Sequence, residues 1–336
     1  MWRTGRGRMA ALLAAAAVAF AASGCGGDDD SGGGASSAGG LTPLKVTTIS
    51  LCTEVPIYWA DRKGIFEEHG IDIEFVPVQG GGAALAALQG GSVDIAYTNP
   101  FSAIMAIRQG IDLAWIATHS YSGTDPETEW SQAIAVKEDS PLQRPADLEG
   151  HTVAVNELGG VSEVTLAEMI RVDGGDPEKV EFVALPYPQI AGAVENGTVD
   201  AGSLAAPMYV GASGLRTLGD AYIGAGNGVS YPSSGYVVKS SELDGDRLEV
   251  FKEFHAAMAE ANAAVLAPEN LDEQHQLASE ICDTDVSLLE SIPERPYEAT
   301  TSMKGMNRIM EIMVNGGMID KPLDPATFVP DWSRKD

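Results

Sequence analysis

Positive charge is scarce in this sequence. Its 336 residues include 21 Lys and Arg against 48 Asp and Glu, so the formal net charge is −27. Nucleic acids and anionic membrane surfaces are bound by basic patches, which this composition does not supply. We therefore expect neither nucleic acid nor an anionic lipid surface as a partner.

Histidine and cysteine are scarce as well, with five His and three Cys. The His residues lack the spacing of a helical metal site, and no Cys pair has the spacing of a zinc ligand set. A nucleophile elbow and a P-loop are also absent. We therefore predict no metal site, no cofactor, no catalytic residue and no enzyme. The pattern leaves open a nucleophilic pair of Cys52 with His119, although an exposed reactive thiol would oxidise outside a cell.

The N-terminus lacks an apolar run that is long enough to span a membrane. Three Arg precede the apolar residues 9–22, a run that is shorter than the ~20 residues of a membrane span. This pattern, followed by small residues, is typical of a signal peptide over residues 1–24. Cys25 stands where a bacterial lipobox has its lipidated cysteine, although Ala22 replaces the usual Leu. We expect lipidation at Cys25; the alternative is an ordinary cleaved signal with a chance cysteine.

Residues 25–43 are rich in Gly, Ser, Ala and Asp, and we predict that they form the lipid anchor and a flexible linker. The body that follows is long enough for two lobes of ordinary domain size. It holds Cys52 and Cys282, which could pair in an oxidising compartment. The sequence leaves two possibilities open, a disulfide or two separate thiols.

Short β-branched runs alternate with helical runs along the body, which predicts an α/β fold with mainly parallel sheets and helices on their faces. One such unit is expected to end near residue 118, a second begins near residue 131, and helices dominate after residue 239. A predicted helix over 56–70 opens with Pro, and another over 300–315 ends at a Gly pair.

One phrase occurs twice. "GGSVDIAYTNP" at 90–100 is similar to "NGTVDAGSLAAP" at 196–207, and each follows an Ala-rich run. A repeat in the same helix–strand context indicates two similar units, which would enclose a cleft. Asp94 and Asp200 stand at the amino ends of their strands, so we expect them to stabilise the adjoining turn rather than to contact a ligand.

Ligands of parallel sheets bind beyond the carboxyl ends of the strands. Polar and aromatic residues in the loops at that edge are therefore candidate ligand contacts, and free N–H groups at the Gly159-Gly160 helix opening could hold an oxyanion. The residues that we predict to bind the ligand are Thr53, Glu54, Asn99, Phe101, Ser102, His119, Tyr121, Trp130, Asn156, Gly160, Val161 and Ser203.

The segment 56–118 resembles the substrate-binding proteins of ABC importers, in the nitrate, sulfonate, taurine and thiamine-pyrimidine family. The matching positions are Tyr58, Ala60, Gly64, Ile65, Phe66, Gly70, Ile71, Asp72, Ile73, Ala87, Leu88, Gly91, Val93, Asp94, Ile95 and Ala96. A looser likeness continues through "PADLEGHTVAV" and "NGTVDAG". Relatives often carry an acidic residue where Ala206 stands, so we expect one contact to be absent or moved.

The resemblance implies a two-lobed type II periplasmic-binding-protein fold with a helical C-terminal tail, whose lobes close on a ligand like a hinged jaw. It implies residues 44–132 with 237–336 as lobe 1, and residues 133–236 as lobe 2. A lipid-anchored monomer outside the cytoplasm would deliver a small-molecule solute to an ABC permease and its ATPase. The alternatives are an enzyme of the same fold, similar to pyrimidine synthases, and a ligand-sensing receptor domain.

The charges in the candidate loops bear on the solute. These loops contain Glu54, Asp125, Glu157 and other acidic residues, and no Lys or Arg. Because like charges repel, an anion would be bound at a cost there. We expect a neutral or cationic heteroaromatic solute, while backbone N–H groups leave nitrate or a sulfonate as the alternative.

Overall fold

A computed structural model describes residues 40–125, 131–245 and 247–336. Its longer strands form two sheets, one in each of two lobes, and its helices pack on both faces of each sheet. None of the helices in the described ranges has the length and apolar character that crossing a membrane requires. The trace of Cys25 and of Trp130 lies outside these ranges.

The first lobe contains one mixed sheet. Its strands are β1 (Thr42–Thr48), β2 (Ile71–Pro77), β3 (Ala96–Thr98), β4 (Ala114–Tyr121) and β10 (Pro232–Val238). The parallel pair β1–β2 is joined to β3 by a bridge between Val46 and Ile95, and β10 lies antiparallel between β3 and β4. The strand order is therefore β2-β1-β3-β10-β4.

The helices of the first lobe include most of the C-terminal third of the chain. They are α1 (Val55–Arg62), α2 (Ile65–Glu68), α3 (Gly81–Gln89), α4 (Pro100–Arg108), α9 (Arg247–Val265), α10 (Leu271–Cys282), α11 (Val286–Leu289) and α12 (Met303–Asn315). Two short strands, β11 (Thr301–Ser302) and β12 (Arg334–Lys335), pair beside α12. The tail thus packs on elements of the first lobe.

The second lobe has its own five-stranded sheet. Its strands are β5 (Gln132–Lys137), β6 (Thr152–Val155), β7 (Glu181–Ala184), β8 (Ala201–Ala205) and β9 (Leu215–Asp220), and its helices are α5 (Val161–Val172), α6 (Tyr187–Glu195), α7 (Ala206–Val210) and α8 (Ala221–Gly226). The order is β7-β6-β8-β5-β9, with β5 antiparallel to both of its neighbours.

The two sheets have equivalent topologies. Strands β2, β1 and β3 take in the first lobe the places that β7, β6 and β8 take in the second, and the fourth place is taken by an antiparallel strand that follows a chain crossing, β10 or β5. The other four strands of each sheet run in one direction, so the sheets are mainly parallel, as predicted, with β10 or β5 running against them. The repeated phrase precedes β3 in one lobe and β8 in the other, so it occupies the same topological position twice.

Successive side chains of a strand point to opposite faces of its sheet, so they pack in two different hydrophobic clusters in each lobe. In the first lobe, Tyr236 of β10 packs towards α1 and α9, whereas its neighbour Val237 packs towards α4 and α12. In the second lobe, Ile134 packs beneath α5 and Ala135 beneath α6. Burial on both faces explains the consecutive apolar residues of these strands, 236–238 in β10 and 133–136 in β5.

Helix α12 joins the lobes through its contacts with α5 and α8. Its Arg308 donates to a Glu168 carboxylate oxygen of α5 at 2.7 Å and to the carbonyl oxygen of Ala225 in α8. Val164 of α5 belongs to the same hydrophobic cluster as Met313 of α12. The lobes therefore share a packed contact that contains a buried ion pair.

Some elements differ from the sequence-based expectation. The helix predicted over 56–70 is divided into α1 and α2, because Gly64 takes a left-handed conformation with φ 75° that interrupts the helix. Strand β9 and helices α7 and α8 are not expected from the sequence, since each spans only five or six residues. The predicted lobe boundary between residues 236 and 237 falls within β10, all of whose pairing is with the first lobe.

Candidate functional site

A cavity of about 730 Å³ lies between the lobes and is lined by residues of both. The first lobe contributes Ile49, Ser50, Leu51, Cys52, Thr53, Gly81, Tyr97, Thr98, Asn99, Ser233, Ser234, Cys282, Thr284, Leu288 and Arg295. The second contributes Ser131, Gln132, Asn156, Glu157, Val161, Ser162, Tyr187, Ala205, Pro207, Met208 and Tyr222. Thr53, Asn99, Asn156 and Val161 are the predicted contacts that line it. The volume is that of a small-molecule site.

Glu54 lies beneath the cavity wall rather than in it. Its buried carboxylate accepts hydrogen bonds from the backbone N–H groups of Ile49 at 3.1 Å and Leu51 at 3.1 Å. Ser50, between them, has a positive φ of 56°. Burial raises the pKa of Glu54 to about 7, and the backbone hydrogen bonds oppose that rise. Glu54 therefore shapes the loop that carries Thr53.

His119 is fully buried behind the same loop. Its Nε2 lies 2.6 Å from the carbonyl oxygen of Thr53, and its Nδ1 lies 3.3 Å from the Tyr236 hydroxyl. Because a carbonyl oxygen only accepts, Nε2 carries the proton and Nδ1 accepts from Tyr236. Burial lowers the pKa of His119 to about 4, so the ring is neutral. It supports Thr53 from behind and does not line the cavity.

Asn99 both lines the cavity and begins α4. Its Oδ1 accepts from the Ser102 backbone N–H at 2.9 Å, and its Nδ2 donates to the Ser102 hydroxyl at 3.0 Å. This is an N-cap, which explains the position of Pro100 in the first turn. Ser102 is thus engaged within the helix start. Beside Asn99, the buried hydroxyl of Thr98 has no hydrogen-bond partner among the described residues.

The start of α5 forms much of the second-lobe wall. Val161 and Ser162 line the cavity, while Gly160 precedes them as the N-cap and supplies no side-chain cap. The N–H groups of the first turn of a helix lack intrahelical partners and carry partial positive charge. The Ser162 hydroxyl lies 3.0 Å from that of Tyr187 at the start of α6, which also lines the cavity.

Asp220 organises the rest of this wall from a buried position. One carboxylate oxygen accepts from the backbone N–H groups of Ser131 and Gln132, and the other accepts from that of Tyr222. All three of these residues line the cavity. Burial raises the pKa of Asp220, against the effect of these hydrogen bonds. The predicted contact Ser203 is buried and accepts from the Gln132 amide at 2.9 Å.

Arg295 is a cation that the sequence-based reasoning did not assign to the site. Burial raises the pKa of Tyr97 in the first lobe and of Tyr222 in the second, and the Arg295 charge opposes both effects. Arg295 lines the cavity that residues of both lobes enclose. Within the described ranges it has no ion-pair partner, and the adjacent Glu294 is paired with His275.

Cys52 and Cys282 form a disulfide in the cavity wall. Of the two possibilities that the sequence left open, pairing is the one that the structure shows. The bond joins the start of the first-lobe loop to the end of α10, across 230 residues of chain. Cys52 is therefore not free to act as a nucleophile with His119.

Two other predicted contacts lie away from the cavity. Phe101 is buried in the cluster between α4 and α12. Tyr121 is buried, and its hydroxyl donates to the carbonyl oxygen of Thr300 at 2.6 Å and accepts from the N–H of Ser302 at 2.8 Å. Trp130 and Cys25 lie outside the described residues. In the ranges that the structure describes, no group of three or more His, Cys, Asp or Glu is placed to hold a metal ion.

The fold and the cleft define a two-lobed solute-binding protein of mixed α/β type. Residues 53–270 match the model of one family, and the chain belongs to it: the NMT1/THI5-like family.

Named relatives show the same affiliation. A Brachyspira hyodysenteriae protein with the provisional name of ABC transporter periplasmic binding protein is 24% identical over 278 residues, 80% of this chain and 79% of that protein. An Escherichia coli protein, provisionally named an aliphatic sulfonates-binding protein, is 31% identical over 151 residues, 44% of this chain and 45% of the relative. These relatives are named as binding proteins and not as enzymes.

A solved structure shows the same fold. The periplasmic aliphatic sulphonate binding protein of Escherichia coli matches with a TM-score of 0.72 at 20% identity, over 88% of this chain and 94% of that one. The two-lobed fold implied by the resemblance is therefore confirmed.

Proposed function

We propose that this chain is the extracytoplasmic solute-binding component of an ABC importer. It captures a small organic molecule between its lobes, closes by a hinge movement and delivers the solute to a membrane permease that an ATPase drives. The cavity of about 730 Å³ carries the proposal, because residues of both lobes line it and closure would bring both sets onto one ligand. The names of the relatives support the same role.

An organic anion such as an aliphatic sulfonate is the solute class that the cavity favours. Arg295 offers from the first lobe a guanidinium that has no ion-pair partner among the described residues, and guanidinium is suited to bind an oxyanion. The uncapped first turn of α5 offers N–H groups from the second lobe. Between these groups, the lining includes Leu51, Leu288 and Met208, which suit an apolar chain. The expectation of a neutral or cationic solute rested on acidic candidate loops without Lys or Arg, and Arg295 supplies a cation to the cavity from outside those loops.

Cys25 is the proposed site of lipidation, so that residues 25–43 would tether the body as a monomer to the outer face of the cell membrane. The proposal treats the protein as a carrier without catalytic function. Its direct contacts with solute would be Thr53, Asn99, Asn156 and Val161, with Arg295 added. Glu54, His119 and Ser203 would act through the lining residues that they hold.

Calorimetric titration of the protein, freed of co-purified solute by unfolding and refolding, tests this function. The panel contains 1-butanesulfonate, butanoate, nitrate and an aminopyrimidine. Mass spectrometry of the material released by unfolding identifies any natural solute. We expect 1-butanesulfonate to bind most tightly among the four, with one site per chain.

The other results are equally decisive. Preference for the aminopyrimidine would restore the heteroaromatic solute class and overturn the anion assignment. Chemical conversion of a bound compound would make the chain an enzyme. The absence of any bound solute, together with no binding in the panel, would contradict solute capture at this cavity.

A further inference from the structure

The disulfide joins two segments that differ in how firmly their other contacts hold them: a loop at Cys52 and a turn after Cys282. On one side of the bond, the loop that carries Cys52 is held by the Glu54 carboxylate and by the hydrogen bond from His119 to Thr53. These contacts are independent of the disulfide. The loop would therefore keep its position if the bond were open.

The turn on the other side has few contacts of its own. Cys282 is followed by Asp283, a non-glycine residue with φ 50°, and the hydrogen bonds of the next residues are local. Leu289 is the buried side chain of α11. A chamber of about 70 Å³, lined by Thr53, Leu289 and others, lies beside this turn. A segment with so little packing opens more easily than a core element.

The same turn is part of the cavity wall and of the contact between lobes. Thr284 and Leu288 line the cavity. Helix α11 also contacts α7 of the second lobe, where Pro207 and Met208 line the opposite wall. The turn over residues 283–289 therefore contacts both the cavity and the other lobe.

We propose that the Cys52–Cys282 disulfide holds this turn in place for ligand capture, so that the chain binds its solute tightly only where the bond is closed. Disulfides persist in oxidising compartments and are reduced in the cytoplasm. The site is then complete only after export. The part of this inference that concerns affinity rests on the proposed function. The part that concerns the mobility of the turn is independent of any ligand.

Reduction opens the bond in a balanced step. A dithiol such as dithiothreitol supplies two electrons and two protons: the Sγ–Sγ bond breaks, Cys52 and Cys282 become thiols, and the reductant closes into its own disulfide. Seven residues of the turn then gain backbone freedom that ligand binding must remove again. Partial release of this freedom predicts an affinity loss of about ten- to a hundredfold, because binding must order the turn again.

Hydrogen–deuterium exchange and calorimetric titration with 1-butanesulfonate test the proposal. They compare the oxidised protein, the dithiothreitol-reduced protein and the Cys52→Ser/Cys282→Ser variant. Exchange in residues 283–289 is expected to rise about tenfold when the bond is open, with the central strands unchanged. Leu266→Ala is the matched control, because it trims the first-lobe core outside the cavity lining and lowers stability without opening the bond.

Each result decides one part of the inference. Unchanged exchange in 283–289 with the bond open would overturn the proposal, and so would unchanged affinity with raised exchange. An equal loss of affinity in Leu266→Ala would assign the effect to global stability and also overturn it. If the oxidised protein does not bind 1-butanesulfonate, the anion assignment fails, and the exchange measurement alone decides the role of the disulfide.

Discussion

The two lobes hold their equivalent first loops by the same device in different surroundings. In the first lobe, Glu54 follows β1 and accepts from backbone N–H groups of its own loop. In the second, Glu163 in the first turn of α5 accepts from the Gly159 N–H at 2.8 Å. Glu54 is 1% exposed, whereas Glu163 is only partly buried. The fold thus repeats the hydrogen bond, and burial makes only one copy a fully desolvated group.

The third loops of the lobes differ more. Asn99 caps the nine-residue α4, whereas the corresponding Ala205 gives no cap to the five-residue α7. A capped helix start is more stable by about 1 kcal/mol. The first lobe therefore faces the cavity with the capped start of α4 and with a tail residue, Arg295. The second lobe faces it with the uncapped start of the shorter α7. The proposed solute contacts would therefore be divided unequally between two halves of similar topology.

Removing the buried ion pair that joins the lobes should have the largest effect. Glu168→Gln leaves the Arg308 guanidinium partly unpaired in a buried position. We expect the free energy of unfolding to fall by about 3–5 kcal/mol, as when one partner of a buried pair is lost. Urea denaturation measures the change.

Glu311→Gln is the matched control for that variant. It removes the other carboxylate near Arg308, which is 65% exposed, and should cost less than about 1 kcal/mol. Equal losses in the two variants would mean that the pair does not join the lobes energetically.

The buried carboxylate of the first lobe predicts a pH dependence. Because burial raises the folded-state pKa of Glu54 from 4.5 to about 7, the folded chain binds a proton more tightly than the unfolded chain in this interval. Glu54 therefore favours folding below pH 4.5, and its contribution is lost as the pH rises to about 7. Relative to Glu54→Gln, we expect the wild type to lose at most about 3 kcal/mol over that rise.

Denaturation curves at stepped pH measure this difference. Glu163→Gln in the second lobe is the matched change at the equivalent loop. A wild-type stability that tracks Glu54→Gln at every pH would show that the buried carboxylate is solvated better than its position indicates.

Arg295 tests whether the unequal division of binding is real. Arg295→Gln should weaken binding of 1-butanesulfonate about a hundredfold, since it removes a charged partner of the ligand. Arg295→Lys should recover part of the loss, and Lys137→Gln, a second-lobe change outside the cavity lining, should leave affinity unchanged. A small effect of Arg295→Gln on sulfonate affinity would shift the anion contact to the first turn of α5.

Most of the fold can be predicted from local patterns in the sequence. Alternation of short apolar strands and helical runs predicted β1 to β8 and the long tail helices, because periodicity reflects which side chains face a core. Gly64 lies inside a helical pattern, and its left-handed conformation divides that helix into α1 and α2. Short, weakly patterned elements such as β9 depend on neighbours that lie far along the chain.

The candidate site was harder to predict from the sequence, because part of it is assembled by contacts between distant segments of the chain. Thr53, Asn99, Asn156 and Val161 stand on loops at the carboxyl ends of strands, so the sheet rule found them. Arg295 reaches the cavity only because the tail folds back, a tertiary event that no local pattern encodes. His119 and Tyr121 lie among the last residues of β4, but both side chains are buried in the core.

The repeated phrase gives the comparison its smallest and sharpest test. Asp94 accepts from the Lys45 N–H at 2.8 Å, and Asp200 accepts from the Thr152 N–H at 2.9 Å, so each carboxylate holds the first strand of its own lobe. Asp94 also pairs with Arg247 at 2.8 Å. We expect Asp94→Ala and Asp200→Ala to lower the free energy of unfolding by about 1 kcal/mol each, with a slightly larger loss for Asp94. Solute affinity by calorimetry should stay within about twofold, because neither carboxylate lines the cavity. Loss of binding in a folded Asp94→Ala protein would make the phrase part of the site rather than of the framework that both lobes share.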